Sequence, residues 1–314
     1  MIGQETSRSD RIERVLVLAD CRKDAVQAFL PELEAWLAER PLEVEVERDI
    51  LGYARRSGRG TEPAGMSNAQ LAVVLGGDGA ILGAARAFSQ RPIPILGVNF
   101  GYLGFLSSTP HPRCFEVLES ALRGECPVEP RMRLVAELGN GATAVALNDV
   151  VLQRGSHQGL LTASMSLGEE WVTNYRGDGV VVATPSGSTA YSLAAGGPVM
   201  APSMLGIVVT PLPSQGLSNR PIVLHPDSEL TLTVTDAAGI TTLVIDGQGF
   251  FPLEPGSSVR ICRHPEPYPV LAMADLDPYR RLRERLGWSA GLPGERNAGP
   301  PPPVDWSRDP GGPY

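Results

Sequence analysis

Leu71-Ala72-Val73-Val74-Leu75-Gly76-Gly77-Asp78-Gly79-Ala80-Ile81 decides the fold. Its five leading apolar residues read as a short buried strand and its glycines as a tight turn. Ala80 to Phe88 reads as a helix, so the segment is one strand-turn-helix unit of a parallel sheet. The same alternation extends both ways. Upstream, Val15-Leu16-Val17-Leu18 reads as a buried strand, Asp24 to Glu39 as a helix with apolar residues at helical spacing, and Leu42 to Val46 as a shorter strand. Downstream, Ile93 to Val98 is a strand and His111 to Arg123 a helix. These units predict an α/β, doubly wound N-terminal domain over 13–128, behind a flexible N-terminus at 1–12. Tyr53 to Ser67 lacks periodicity and reads as a surface loop beside the site.

After Pro130 the texture changes. Leu134 to Leu138, Ala144 to Val151, Leu161 to Leu167, Gly179 to Ala183 and Leu230 to Val234 are short runs separated by Gly, Asn and Asp turns. No helix-length segments divide most of them, so antiparallel pairing and a β-rich sandwich follow for 129–266. The boundary is expected near Pro127 to Pro130. A C-terminal helix within 267–290 is expected to pack back on the first, Rossmann-like domain, and 291–314, rich in Pro and Gly, is expected to be disordered.

A chain of 314 residues suits two such domains. Its formal net charge is −8, and no segment gathers enough Lys and Arg to track a phosphate backbone or an anionic bilayer, which argues against nucleic acid and membrane partners. Cys21, Cys114, Cys126 and Cys262 are too scattered for a zinc site or a disulfide scaffold. No apolar run approaches the roughly 20 residues of a membrane span, and the polar N-terminus lacks a signal-peptide core. A cytoplasmic location is the resulting expectation.

The chemistry starts at the turn. Leu75 brings the chain to the carboxyl end of a parallel strand, where open α/β sheets place ligands. Gly76, Gly77 and Gly79 strip away side chains where backbone amides would meet a phosphate, and the following helix aims its positive end at the same spot. Asp78 cannot hold phosphate by attraction, so it either orients a metal ion or accepts a proton from an attacking hydroxyl. The competing structural reading is that Asp78-Gly79 only makes a turn and caps the helix.

Leu75 to Gly79 resembles the GGDG signature common to NAD kinases, diacylglycerol and sphingosine kinases and, more distantly, 6-phosphofructokinases. Three further segments choose among them. Gly97-Val98-Asn99-Phe100-Gly101-Tyr102-Leu103-Gly104-Phe105-Leu106 resembles the NAD kinase segment GxNxGxLGFL. Leu147-Asn148-Asp149-Val150-Val151-Leu152 resembles its N-[ED]-VV-L strand. Gly177-Asp178-Gly179-Val180-Val181-Val182-Ala183-Thr184-Pro185-Ser186-Gly187-Ser188-Thr189-Ala190-Tyr191-Ser192 is similar to its DG-[LVI]-[IV]-V-[AS]-TPTGSTAYS, with Ser186 in place of Thr. Asp246-Gly247-Gln248 and Leu282 to Trp288 fit as well.

The resemblance implies transfer of a terminal phosphoryl group from ATP or another donor to the 2′-hydroxyl of the adenosine ribose of NAD, giving NADP, with Mg²⁺ accompanying the donor. It implies Asp78 as the catalytic base, Gly76, Gly77 and Gly79 as the phosphate cradle, and NAD contacts from Asp78, Gly79, Phe105, Asn148, Asp149, Arg176, Asp178, Thr189, Ala190, Tyr191, Ser192 and Gln248. It also implies a homo-oligomer, a dimer or tetramer. The family's usual His before Leu-Ser-x-Arg-Pro is replaced here by Gln215, which can hydrogen-bond but not titrate near neutrality. The rival readings are a GGDG-type lipid or sugar kinase and an NAD-binding protein without turnover. The first should need an apolar pocket rather than the Asn148-Asp149 and Thr184 to Tyr191 segments, and the second is separated by an activity assay.

Overall fold

Strands made wholly of apolar residues must be covered on both faces, and the centre of the first sheet is built from such strands. The computed structural model describes residues 12–50, 52–53, 68–101, 104–155, 159–201, 203–213, 219–237, 239–273 and 278–288. The first sheet runs in the order Glu43–Glu47, Arg14–Ala19, Leu71–Leu75, Ile95–Asn99, Tyr268–Leu271, Val128–Arg131. The first five are parallel, and Val128–Arg131 joins antiparallel to Tyr268–Leu271. Leu71–Leu75 and Ile95–Asn99 are buried along their whole length.

Alternate residues of these strands feed two separate cores. Val15, Val17, Leu71, Val73 and Leu75 pack with the helices Asp24–Ala38 and Cys114–Leu122 on one face. Leu16, Leu18, Ala72 and Val74 pack with Ala80, Ile81 and Ala84 of the helix Asp78–Ala87 on the other. The domain is therefore doubly wound, as the alternation predicts.

The remaining strands form two antiparallel six-stranded sheets. One has the order Glu170–Gly177, Leu161–Leu167, Leu230–Ala237, Ser258–Arg263, Leu134–Leu138, Thr143–Ala146. The other has the order Ile222–Leu224, Ile207–Pro211, Gly179–Ala183, Asp149–Arg154, Thr241–Ile245, Gly249–Leu253. Leu161, Ala163, Leu232 and Ile261 meet Val150, Leu152, Val180 and Leu243 between the sheets, which makes the sandwich core. The outer face of the second of these sheets is also covered, by Met200 and Leu212 over Val151, Val181 and Val208.

The structure differs from the sequence reading at three boundaries. Val128–Arg131 crosses the expected boundary as a strand of the first sheet; its Pro130 is tolerated because this strand is the sheet's edge. Tyr268–Leu271, at the start of the stretch 267–290 assigned to the C-terminal helix, returns to that sheet as a strand, so the α/β domain is assembled from two separated stretches of chain; the helix, read from Asp277 to Leu286, is present as Pro278–Leu286. The helix after the glycine turn starts at Asp78 rather than Ala80, because extended Gly77 serves as its N-cap. Residues Asp277–Tyr314 are a second unit, whose described part includes the helix Pro278–Leu286. The expected N-terminal arm and Pro/Gly-rich tail, and most of the expected loop from Tyr53 to Ser67, lie outside the described residues.

Candidate active site at the glycine-aspartate turn

The buried strand Leu71–Leu75 ends at Gly76, whose N–H donates to Val98 O at 2.9 Å and keeps the turn in the sheet. A Cβ on Gly76 would stand 2.7 Å from Ala80 Cβ, so the helix can start this close to the strand only with glycine there. Asp78, the first helical residue, turns its carboxylate toward the Phe105–Ser107 segment. Oδ2 accepts the Phe105 N–H at 2.9 Å. Oδ1 accepts the Leu106 N–H at 3.1 Å, the Ser107 N–H at 2.9 Å and the Ser107 hydroxyl at 2.9 Å. Asn99, buried at the end of its strand, donates its side-chain N–H to Ser107 O at 3.0 Å. Glycine at 104 is required by this packing: a Cβ there would lie 2.0 Å from Asp78 Oδ1. Asp78 thus holds a neighbouring loop, and only Oδ2, with one bond accepted, keeps room for a further donor.

A second carboxylate does the same between neighbouring strands of the second sandwich sheet. Asp246 has φ +49°, left-handed backbone that Asp tolerates better than most residues. It accepts the N–H groups of Leu147, Asn148 and Asp149 at 2.8, 2.7 and 3.0 Å. Burial pushes its carboxyl pKa up, while those three N–H groups pull the other way. Asp149 is also buried, and its pKa is pushed up to about 7, by burial first and by the neighbouring Asp246 charge second. Asn148 is buried too, and its side-chain oxygen has no hydrogen-bond partner among the described residues, a vacancy that suits a ligand donor. Two residues after Asp246, Gln248 Nε2 donates to Gly79 O at 3.0 Å and ties this sheet to the glycine turn.

The bend from Thr184 to Ser192 is seated on Asn148. The Thr184 N–H donates to Asn148 O at 2.8 Å, and a Cβ on Gly187 would fall 2.0 Å from that same oxygen. Several hydroxyls in this bend serve its own geometry. Ser188 Oγ donates to Pro185 O, Thr189 Oγ1 donates to Ser186 O, and buried Ser192 Oγ pairs with Thr210 Oγ1. Tyr191 is exposed and Ala190 half-buried, which leaves these two, with Thr189, facing outward.

Arg176 and Asp178 are not brought to this place. Asp178 pairs with Arg154, Nε to Oδ1 at 2.6 Å, at the far end of the strand whose other end is Asp149. Five residues of strand put the two ends about 17 Å apart. The strand Gly179–Ala183 runs from Asp178 toward Thr184 and so carries the two motif halves to opposite ends of the sheet.

A cavity of about 550 Å³ opens on the other side of the glycine turn, lined by Asp20, Arg22, Lys23, Arg86 and Phe250 together with Gly77, Gly79 and Gln248. Comparison with known proteins agrees with the motifs that converge here. The profile of the ATP-NAD kinase N-terminal domain matches residues 10–126, and that of the ATP-NAD kinase C-terminal domain matches 147–273. The chain is 38% identical over 267 residues to a protein named NAD kinase from Desulfatibacillum aliphaticivorans, covering 83% of this chain and 93% of that one. It is 36% identical over 284 residues to the NAD kinase of Koribacter versatilis, covering 88% and 99%. The chain belongs to the NAD kinase family. The fold is also that of the yeast NADH kinase crystallised with NADH, with a TM-score of 0.78 at 24% identity, over 94% of this chain and 95% of that one.

Within the family framework, the cavity residues Asp20, Arg22, Lys23 and Arg86 were not singled out from sequence. A signal was present: Asp20-Cys21-Arg22-Lys23 directly follows a buried strand, the same strand-end position that drew notice to Gly76. Gln215 lies outside the described residues. Among the described residues no helix is long and apolar enough to cross a membrane.

Proposed function

We propose that this protein phosphorylates NAD on the 2′-hydroxyl of its adenosine ribose, using the terminal phosphoryl group of ATP or a related donor, and so makes NADP. The observation that carries this reading is the position of Asp78. It is the first residue of its helix; its neighbours Gly77 and Gly79 line a cationic cavity, and Gln248 ties Gly79 to the sheet that carries Asn148-Asp149, where Asn148 offers an unsatisfied amide oxygen. The donor phosphates would lie over Gly77 and Gly79, near Arg22 and Lys23, with amides and the helix end stabilising charge on the moving group. NAD would lie toward Phe105, Asn148, Asp149 and the Thr189 to Tyr191 bend. As the ribose oxygen bonds to phosphorus and the bond to the departing nucleotide breaks, the hydroxyl proton passes to Asp78 Oδ2. General-base help of this kind is worth about 10²–10⁴-fold in rate.

Among the described residues no three His, Cys, Asp or Glu side chains gather as a metal site. Mg²⁺ would accompany the donor phosphates, with Asp78 and Asp20 as carboxylates beside the cradle, and would neutralise phosphate charge. A cytoplasmic, homo-oligomeric enzyme of NADP biosynthesis is the accompanying expectation. Exposed Met204, Leu205, Ile222 and Val223 beside an edge strand support self-association.

Purified protein is to be incubated with NAD, Mg²⁺ and, in separate arms, ATP, another nucleoside triphosphate and polyphosphate, with NADP read by an NADP-specific dehydrogenase. NADP formation is expected with at least one donor. Phosphorylation of a diacylglycerol or a sugar but not of NAD, or NAD binding with no turnover under any donor, would overturn the reading.

A further inference from the structure

The donor side of this reaction contains an ion pair that the proposed chemistry leaves unexplained. Asp20 ends the strand Arg14–Ala19 with a side chain only 7% exposed, and its Cβ lies 3.6 Å from where a Cβ on Gly76 would be. A carboxylate packed against a phosphate cradle repels the ligand the cradle is built for, and burial makes its charge costly to leave unpaired. Arg22 resolves both problems with a two-pronged contact: Nε donates to Oδ1 at 2.7 Å and Nη2 to Oδ2 at 2.9 Å. Arg22 raises the pair beyond a neutral plug. A guanidinium carries five N–H donors in a rigid fork, and this contact uses one edge. Among the described residues nothing accepts from Nη1. The Arg22 side chain is 65% exposed and lines the cavity beside Gly77 and Gly79. Lys23 Nζ lies 3.5 Å from the position of a Cβ on Gly77, so a second cation already covers the cradle itself.

We propose that Asp20 is a positioning residue for the phosphoryl donor: it holds Arg22 by one edge so that the free Nη1 edge grips a donor phosphate oxygen. A long, exposed arginine would otherwise give up its rotamer freedom on each binding event; the buried carboxylate fixes it beforehand. The inference rests on the cavity being the donor side.

Steady-state kinetics with ATP varied at saturating NAD, and with NAD varied at saturating ATP, test it. Arg22→Ala should raise the donor KM about tenfold, the low end for a charge-assisted hydrogen bond, and leave the NAD KM unchanged. Asp20→Asn should raise the donor KM in the wild-type background but add nothing to Arg22→Ala, because Asp20 acts only through Arg22. Arg22→Lys keeps the charge on an exposed residue, cannot form the fork, and should behave like Arg22→Ala; it covers the case in which Asp20→Asn fails to fold. A lower donor KM in Asp20→Asn, an equal effect of Asp20→Asn with and without Arg22, or wild-type kinetics in Arg22→Lys would each overturn the proposal. If Arg22→Ala and Lys23→Ala both spare the donor KM and raise that for NAD, the cavity is not the donor side, and the proposal falls together with that assignment.

Discussion

Replacing Asp149 by Asn should stabilise the protein, and only above mildly acidic pH. The folded-state pKa of Asp149 is about 7, against an ordinary value of 3.8. The group is raised on folding, so between roughly pH 4 and 7 the folded state binds a proton that the unfolded state has released. Stability therefore falls as pH rises through that window, with the loss complete above pH 7. Three pKa units at about 1.4 kcal/mol each set the ceiling at ~4 kcal/mol. Asn is close in shape to the protonated acid and does not titrate, so the variant should match the wild type near pH 4 and exceed it by as much as ~4 kcal/mol at pH 8. Urea midpoints for both proteins, measured without ligand at each pH from 4 to 8, give the difference directly; because the Asp149 and Asp246 charges repel each other, that difference reports the titration of the coupled pair. A difference that stays constant across this range would refute the linkage. The same titration should show as a change in NAD KM near pH 7 in the wild type that is missing in Asp149→Asn, because a protonated Asp149 donates where the carboxylate accepts.

Asp78→Asn should lower kcat by about 10²–10⁴, and its amide would face the Phe105 N–H donor to donor, costing roughly 1–3 kcal/mol in urea unfolding. Unchanged kcat would remove Asp78 from the chemistry. Gly104→Ala should lower kcat through displacement of Asp78, since its Cβ would sit 2.0 Å from Oδ1 and 2.2 Å from Ser107 Oγ; a fully active Gly104→Ala would mean that the latch between Asp78 and this loop is dispensable. Asp246→Ala strips the acceptor from three consecutive N–H groups and should cost about 3 kcal/mol at neutral pH, read as a lower urea midpoint together with a raised NAD KM.

The fold was legible where sequence period and burial coincide. Val15 to Leu18 and Leu71 to Leu75 are apolar throughout because they lie between two helical layers, and Leu161 to Leu167 alternates because one face meets the sandwich core. Illegible stretches had their pattern set by distant partners. Val128–Arg131 and Tyr268–Leu271 are short, and each contains Pro; they become strands by pairing with each other across more than a hundred residues. The family resemblance alone assigns Arg176 and Asp178 to the pocket, since Asp178-Gly179 by itself reads as a hairpin turn; within one chain the strand Gly179–Ala183 carries Asp178 to the opposite end of the sheet from Thr184. A strand separates in space what it joins in the chain, and a motif written as one string hides this.

The site itself shows why motif residues resist assignment to single roles. Asp78 gathers the N–H groups of Phe105, Leu106 and Ser107, and Asp246 gathers those of Leu147, Asn148 and Asp149. In each case a carboxylate from one motif shapes the loop that another motif supplies, across 27 to 99 residues of sequence. Asp78 was read from sequence as a choice between a base and a structural turn. The geometry gives it a structural task of another kind, since its bonds reach outside its own turn, and it leaves Oδ2, which accepts only the Phe105 N–H, room for one further donor. Because Oδ1 is held by three donors, the loop fixes the carboxylate as firmly as the carboxylate fixes the loop. In the proposed reaction, proton acceptance at Oδ2 would thus depend on the Gly104 to Ser107 backbone as much as on Asp78 itself.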